Sequence, residues 1–143
     1  MTDITLAQAR TIVSAALEFS REKKFSPMAV IVLDARGVPK AYAAEDNTAL
    51  RRYDIAHGKA YGALAMGVGS KTLGLRAVER PHFISAVNGA IGGAMVPVAG
   101  GVLIRVEGKI IGCVGVTGDS SDNDDLAAHA GIAAVSALTA DPG

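Results

Sequence analysis

The chain has 143 residues, half of them apolar, which is enough for one domain built around one hydrophobic core. Its 14 basic and 14 acidic side chains give a formal net charge of zero, so the chain lacks the basic surface that nucleic acid binding requires. A single cysteine excludes an internal disulfide, and no run of about 18 apolar residues indicates a membrane span.

The ends and the interior of the chain carry few signals of further segments. The start, Met1-Thr-Asp-Ile-Thr-Leu6, has no basic stretch followed by an apolar one and so does not resemble a secretory signal. Together with the lone thiol, this predicts a cytoplasmic protein. No internal repeat or linker interrupts the sequence, so residues 1–143 are predicted to form a single domain.

The first half of the chain predicts a helix, a pair of strands and a second helix. In order, these elements are residues 5–22, 28–33, 40–44 and 50–66. Thr5 is positioned to cap the first helix, and Gly37 supplies the positive φ that the turn between the two strands needs.

The second half predicts short helices, a glycine-rich loop, a hairpin and a last helix. In order, these are residues 70–90 with an interruption at Pro81, 89–101, 102–106 paired with 109–116, and 121–139. Ser121 and Asp124 have capping-box spacing at the start of the last helix. Hairpins that alternate with helices predict an antiparallel sheet with helices packed on it.

Four segments, in this order, match the pattern of a known protein family. They are Val30-Ile-Val-Leu-Asp-Ala-Arg-Gly37, Ala56-His-Gly-Lys-Ala60, Pro97-Val-Ala-Gly-Gly-Val-Leu-Ile104 and Ile111-Gly-Cys-Val-Gly-Val-Thr-Gly118. On these motifs the chain resembles the GlcG/HbpS family, to which the C-terminal domain of PduO is related. The resemblance implies a profilin-like α/β sandwich, with a five-stranded antiparallel sheet flanked by helices, and a homo-oligomer. Some members of the family bind haem, and others are linked to cobalamin pathways or small-molecule catabolism.

The chain departs from the family pattern in two places. Ala44-Glu-Asp-Asn47 stands where the family often has Arg-Met-Asp-Gly, and Leu103 replaces a proline. The missing arginine removes a side chain that is well suited to contact a carboxylate.

His57 and Lys59 are the main candidates for function. They share a helix with Gly58 and Gly62, which each cost about 1 kcal/mol relative to alanine and therefore indicate close approach of another backbone or a ligand. His57 is interpreted as a haem-iron ligand or a general base, with Asp54 placed to orient its imidazole. Lys59 is interpreted as the group that holds a propionate or a substrate carboxylate. The alternative is that His57 is a surface side chain and Lys59 a solvated or oligomer-contact residue.

Two glycine-containing turns are candidates for the rim of a binding site. Gly100 and Gly101, together with Thr117 and Gly118, would present backbone N–H groups to an anionic ligand beside the start of the last helix. The alternative is that these glycines only allow turns and close sheet packing. Asp124 and Asp125 are interpreted as helix-start charges that favour the positive end of the helix dipole, rather than as an acid/base pair.

The remaining titratable candidates give weaker signals. Cys113 lies in an apolar strand and is predicted to be a buried structural thiol. His82 and His129 do not share metal-ligand spacing with His57, so a structural zinc site is not expected.

Three functional hypotheses remain open. In the first, the protein binds a small molecule, with haem or a related tetrapyrrole as the ligand. In the second, it is a lyase, isomerase or hydrolase that uses Lys59 or His57 as acid and base, with the region of Gly100 and Thr117 polarising a carbonyl. In the third, it is a non-catalytic assembly or regulatory module, with the helix of Gly58 and Gly62 at a subunit contact.

Overall fold

Five helices and five strands make up the part of the chain that the computed structural model describes, residues 3–143. The helices are α1 (Leu6–Glu22), α2 (Arg52–Met66), α3 (Ser70–Glu79), α4 (Pro81–Ala90) and α5 (Ser121–Ala133). The strands are β1 (Ala29–Asp34), β2 (Pro39–Ala44), β3 (Gly101–Val106), β4 (Lys109–Thr117) and β5 (Thr139–Asp141). Within residues 3–143, no helix is both long and apolar enough to cross a membrane.

The strands form one sheet in the order β2-β1-β4-β3-β5, and every neighbouring pair is antiparallel. This confirms the predicted five-stranded antiparallel sheet with helices packed on it. β1 is buried along its whole length because helices cover both faces of the sheet. That arrangement explains why its sequence is a continuous apolar run rather than an alternating one.

Side chains of alternate residues in the central strands enter two different cores. Val30, Val32 and Val114 belong to the core under α1 and α5, whereas Ile31 and Cys113 belong to the core under α2. A third, smaller cluster lies where α3 and α4 pack, and it contains Leu73, Ile84 and Met95. The fold is therefore a sandwich in which α2 covers one face of the sheet.

The predicted last helix was too long at its C-terminal end. α5 ends at Ala133, and residues 139–141 form β5, which pairs with the free edge of β3. The Nε atom of Arg105 on β3 lies 2.8 Å from a carboxylate oxygen of Asp141. This strand has only three residues, and its partner lies more than 30 residues away, so local periodicity gave no sign of it.

The caps of α1 and α5 are well defined. Thr5 and Gln8 form a reciprocal capping box, which confirms the predicted start of α1. At α5 the cap is Ser120, whose hydroxyl accepts from the Asn123 amide, so the prediction of Ser121 was wrong by one residue. The capping box was also wrong, because the carboxylate of Asp124 binds elsewhere, as described below.

The two glycines of α2 allow another segment of the same chain to approach. A Cβ atom on Gly58 would lie 2.5 Å from the Ala94 carbonyl oxygen, and one on Gly62 would lie 2.5 Å from Cγ of Met95. The Gly58 carbonyl also accepts a hydrogen bond from the Val96 amide. The expected close approach is confirmed, but it occurs within the chain, so Gly58 is not available for the subunit contact of the third hypothesis.

Candidate functional site

Helix α2 has two flanks, one on each side of the residues that face the sheet. Ala56 and Ala60 pack on the sheet. Because successive residues are about 100° apart around a helix axis, His57 and Lys59 lie about 200° apart. The two main candidate residues therefore belong to different surfaces.

Between α2 and the start of α5 lies a cleft of about 300 Å³, called here the α2–α5 cleft. Its polar lining consists of Arg52, Lys59, Thr117, Asp119, Ser121 and Asp124. Its apolar lining consists of Ile55, Val96 and Val98. The volume is at the lower end of small-molecule binding sites.

An ion pair between Lys59 and Asp124 forms the floor of this cleft. The ammonium nitrogen lies 2.9 Å from Oδ2 of Asp124 and 2.9 Å from the Val116 carbonyl oxygen. Only 3% of the Lys59 side chain and 2% of the Asp124 side chain are exposed. Lys59 is therefore not a solvated residue, and Asp124 is more than a helix-start charge.

Burial and charge act in opposite directions on this pair. Loss of solvent lowers the pKa of Lys59 and raises the pKa of Asp124, because desolvation disfavours both charged forms. Their mutual attraction and hydrogen bond oppose these changes. Such a pair, placed at a cleft, is suited to hold or exchange a proton with a bound molecule.

Arg52 contributes a second cation that the sequence analysis did not identify. Its guanidinium donates to the Thr117 hydroxyl over 3.0 Å, which brings it to the same end of the cleft as Lys59. The sequence contained a signal for Arg52, because Arg52 and Lys59 are seven residues apart and therefore lie on the same side of a helix.

The predicted glycines do not line the cleft, and two of them, Gly100 and Gly101, pack against Lys59. A Cβ atom on Gly100 would lie 2.9 Å from Nζ of Lys59, and one on Gly101 would collide with the Lys59 carbonyl oxygen. The Gly101 amide donates to the Ser70 hydroxyl. A Cβ atom on Gly118 would collide with the Pro27 carbonyl oxygen. Gly100 and Gly101 allow close packing around the ion pair. A direct role for the three glycines in ligand binding stays a prediction.

The opposite flank of α2 carries a row of aromatic rings, called here the Tyr–His row: Tyr42, Tyr53, His57 and Tyr61. The His57 ring lies between those of Tyr53 and Tyr61, with centroid distances of 5.9 and 5.8 Å and interplanar angles of 22° and 9°. Tyr42 of β2 meets Tyr53 edge-on at 5.1 Å. About 40% of the Tyr42 and Tyr53 side chains is exposed. The row therefore places one imidazole between two tyrosine rings at a partly exposed surface.

The group predicted to orient His57 binds elsewhere. The Asp54 carboxylate lies 3.4 Å from the Arg51 guanidinium, so its assignment as the partner of His57 was wrong. Both are exposed residues at the start of α2, one turn before His57. Next to Tyr61, the row continues into a hollow of about 170 Å³ that is also lined by Arg36 and Leu64.

The remaining candidates lie apart from both surfaces. His82 is exposed at the start of α4, and His129 lies 3.4 Å from Asp125 on α5. Across residues 3–143, no three histidine, cysteine or acidic side chains come together as ligands for a metal ion. Cys113 is buried, as predicted, and burial raises the pKa of its thiol.

Comparison with known proteins places the chain in a family. A family model described as haem degrading protein HbpS-like matches residues 4–133. The chain belongs to the HbpS-like family. Among curated proteins, none matches its sequence.

Solved structures share the HbpS-like fold over almost the whole chain. PduOC, solved as a complex with haem, is 24% identical, with a TM-score of 0.83 over 93% of this chain and 95% of that one. A double mutant of HbpS from Streptomyces reticuli is 26% identical, with a TM-score of 0.81 over 94% and 88%. The protein ORFY from Klebsiella pneumoniae is 23% identical, with a TM-score of 0.87 over 97% and 94%.

Proposed function

We propose that this HbpS-like protein binds haem or a related tetrapyrrole and that His57 is the ligand of the iron. The observation that carries the proposal is the position of His57 in the Tyr–His row, between two near-parallel tyrosine rings. Membership of a family described as haem degrading, and the haem bound to PduOC, support the choice of ligand.

The residues of the row suit the chemistry of haem. A neutral imidazole is a common axial ligand of haem iron, and aromatic rings pack favourably against a flat conjugated macrocycle. Haem also carries carboxylates, for which a guanidinium is a matched partner. Arg36 lines the hollow beside Tyr61. One of its guanidinium nitrogens lies 2.9 Å from a carboxylate oxygen of Asp34, but 74% of the Arg36 side chain is exposed, so its other N–H donors remain for a ligand.

Lys59 takes no part in haem binding under this proposal. Its ammonium is buried in the ion pair with Asp124 on the other flank of α2. The propionate contact predicted for Lys59 is therefore assigned to Arg36.

A titration with haemin, followed by visible spectroscopy, tests the proposal on protein purified without added haem. We expect a saturable shift of the Soret band near one haem per chain, which His57→Ala abolishes or weakens strongly. His129→Ala is the matched control, because it removes a half-buried histidine from a helix that does not contact the Tyr–His row. A titration without saturation, or one that is the same for His57→Ala and the unaltered protein, overturns the proposal.

A further inference from the structure

The α2–α5 cleft contains a buried hydrogen-bond donor that lacks a partner. An ammonium group has three N–H donors, and Lys59 uses two of them on Asp124 and the Val116 carbonyl. Within residues 3–143, the third has no acceptor, although the side chain is 97% buried and lines the cleft. An unused donor in such a position indicates that an acceptor from outside the chain completes the site.

The carboxylates of the cleft already accept hydrogen bonds from other groups of the chain. Oδ1 of Asp124 accepts from the Asp119 amide, and Oδ2 accepts from Lys59. Both oxygens of Asp119 accept hydrogen bonds as well, from the amides of Ser26 and Ser120 and the side chain of Asn123. The two carboxylates are therefore engaged within the chain, and the cleft offers hydrogen-bond donors to a ligand.

Two further features add positive potential to the open side of the cleft. Arg52 uses one guanidinium nitrogen on Thr117, which leaves its other N–H groups for a ligand. The positive end of the 13-residue helix α5 lies at the same place, and Ser121 of its first turn lines the cleft. A ligand that binds here must bring an anionic acceptor.

The apolar side chains of the lining restrict which anion fits. Ile55, Val96 and Val98 form an apolar surface, so the rest of the ligand must be apolar too. Two carboxylates, Asp119 and Asp124, also line the cleft, so a dianion such as phosphate would meet like charge at short range. The lining thus favours a single negative charge attached to a small hydrocarbon group.

We propose that the α2–α5 cleft binds a small monocarboxylate with a short aliphatic tail. Its carboxylate accepts hydrogen bonds from Lys59 and Arg52, and its tail packs on Ile55 and the two valines. This site does not rest on haem binding, because it lies on the other flank of α2 from the Tyr–His row. The two proposals can therefore fail separately.

Calorimetry, together with amide chemical shifts of the full chain, tests the cleft with three probes: 3-methylbutanoate, its neutral analogue 3-methylbutanamide, and inorganic phosphate. We expect saturable binding of the carboxylate, with shifts of the backbone amides of Val96, Val98 and residues 117–122. The amide and phosphate should bind at least about tenfold more weakly, since each lacks either the charge or the tail. Equal binding of the amide, tighter binding of phosphate, or no carboxylate binding overturns the proposal.

Variants on the rim locate the site without disturbing the buried pair. Arg52→Gln should weaken carboxylate binding about tenfold or more, because it removes a charge-assisted hydrogen bond. Val98→Asp, at a position that is 40% exposed, should also weaken it by adding a like charge. Arg51→Gln is the matched control, because Arg51 is exposed and pairs with Asp54 away from the cleft. Unchanged affinity in both rim variants contradicts the assignment, whereas His57→Ala should leave carboxylate binding intact.

Discussion

Lys59 and Asp124 place two opposite charges where water does not reach, so each residue depends on the other. Asp124→Ala leaves the Lys59 ammonium without its counter-charge. Removing one partner of a buried ion pair typically costs about 3–5 kcal/mol of unfolding free energy. We expect a loss in this range for Asp124→Ala, measured by urea unfolding at neutral pH.

The double variant Lys59→Met with Asp124→Leu separates a stranded charge from lost packing. Because apolar side chains of similar volume often replace a buried pair without penalty, it should recover most of the stability. Asp122→Ala, in the same turn of α5 but exposed, should change stability by less than about 0.5 kcal/mol. A double variant as unstable as Asp124→Ala would show that the charges are not the cause.

At the scale of single residues, sequence identified one member of the ion pair and missed the other. Lys59 was found through the family motif, whereas its partner lies 65 residues away and had a sufficient local explanation as a helix-start charge. Arg52 was missed for a different reason: helical spacing puts it on the stripe of Lys59, but spacing alone does not say that the stripe faces a cleft. Pairing in three dimensions decides both cases, and one sequence does not contain it.

The elements that sequence predicted best are those whose signal is local. The hairpin of β3 and β4 turns at Glu107 and Gly108, which both have positive φ, as a two-residue turn between right-handed twisted strands requires. β5 and the end of α5 were missed because their conformation depends on an edge strand that is distant in sequence. The length of β5 matters as well, since three residues are too few to show the alternating pattern of a strand.

The close approach to α2 gives a test at the level of a helix and the loop that covers it. Gly58→Ala gains about 1 kcal/mol of helix propensity, but its methyl group would meet the Ala94 carbonyl and the Val96 side chain at 2.5 and 2.6 Å. Because the Ala94 oxygen belongs to backbone, the contact is relieved only if residues 94–96 move. We therefore expect Gly58→Ala to lower the unfolding free energy by about 1–3 kcal/mol, the usual range for overpacking.

Gly89 in α4 provides the matched control for that substitution. A Cβ atom there would have nothing within 4 Å, so Gly89→Ala should gain helix propensity without a clash. Chemical denaturation of the two variants should move their midpoints in opposite directions. If Gly58→Ala stabilised the protein instead, residues 94–96 would move at little cost in free energy.

At the scale of the whole molecule, α2 separates two surfaces of different chemistry. The sheet-facing alanines and the segment over Gly58 fix the helix, so the Tyr–His row and the α2–α5 cleft cannot merge into one site. The homo-oligomer that the resemblance implies stays a prediction, and so does the cytoplasmic location. Two separate surfaces on one helix would let a small carboxylate and a tetrapyrrole be bound at the same time.

Acid stability is a property of the whole fold, because carboxylates hold distant segments together. Three hydrogen bonds tie Asp119 to the residues before β1 and to the start of α5, and they lower its pKa; the first cause is the bond from the Ser26 amide. The hydrogen bond from Arg105 lowers the pKa of Asp141 and fastens β5. Each folded-state pKa lies below that of the unfolded chain, about 3.9 for aspartate. Their stabilisation is therefore complete above that value and is lost as the pH falls below it.

Asp124 acts in the opposite sense, because its raised pKa favours proton uptake by the folded chain. It is one group against three, since, despite desolvation, hydrogen bonds from Arg36 and Val38 lower the pKa of Asp34 as well. We expect the urea midpoint to be steady between about pH 5 and 7 and to fall below about pH 4. Asp119→Asn should lower the midpoint at pH 7 and flatten the fall, since the variant has one carboxylate fewer to protonate. Asp122→Asn removes the same charge from an exposed position in the first turn of α5. In this variant the urea midpoint should fall with decreasing pH as steeply as in the unaltered chain. If Asp119→Asn loses stability in acid as steeply as the unaltered chain, the links made by Asp119 do not govern acid unfolding.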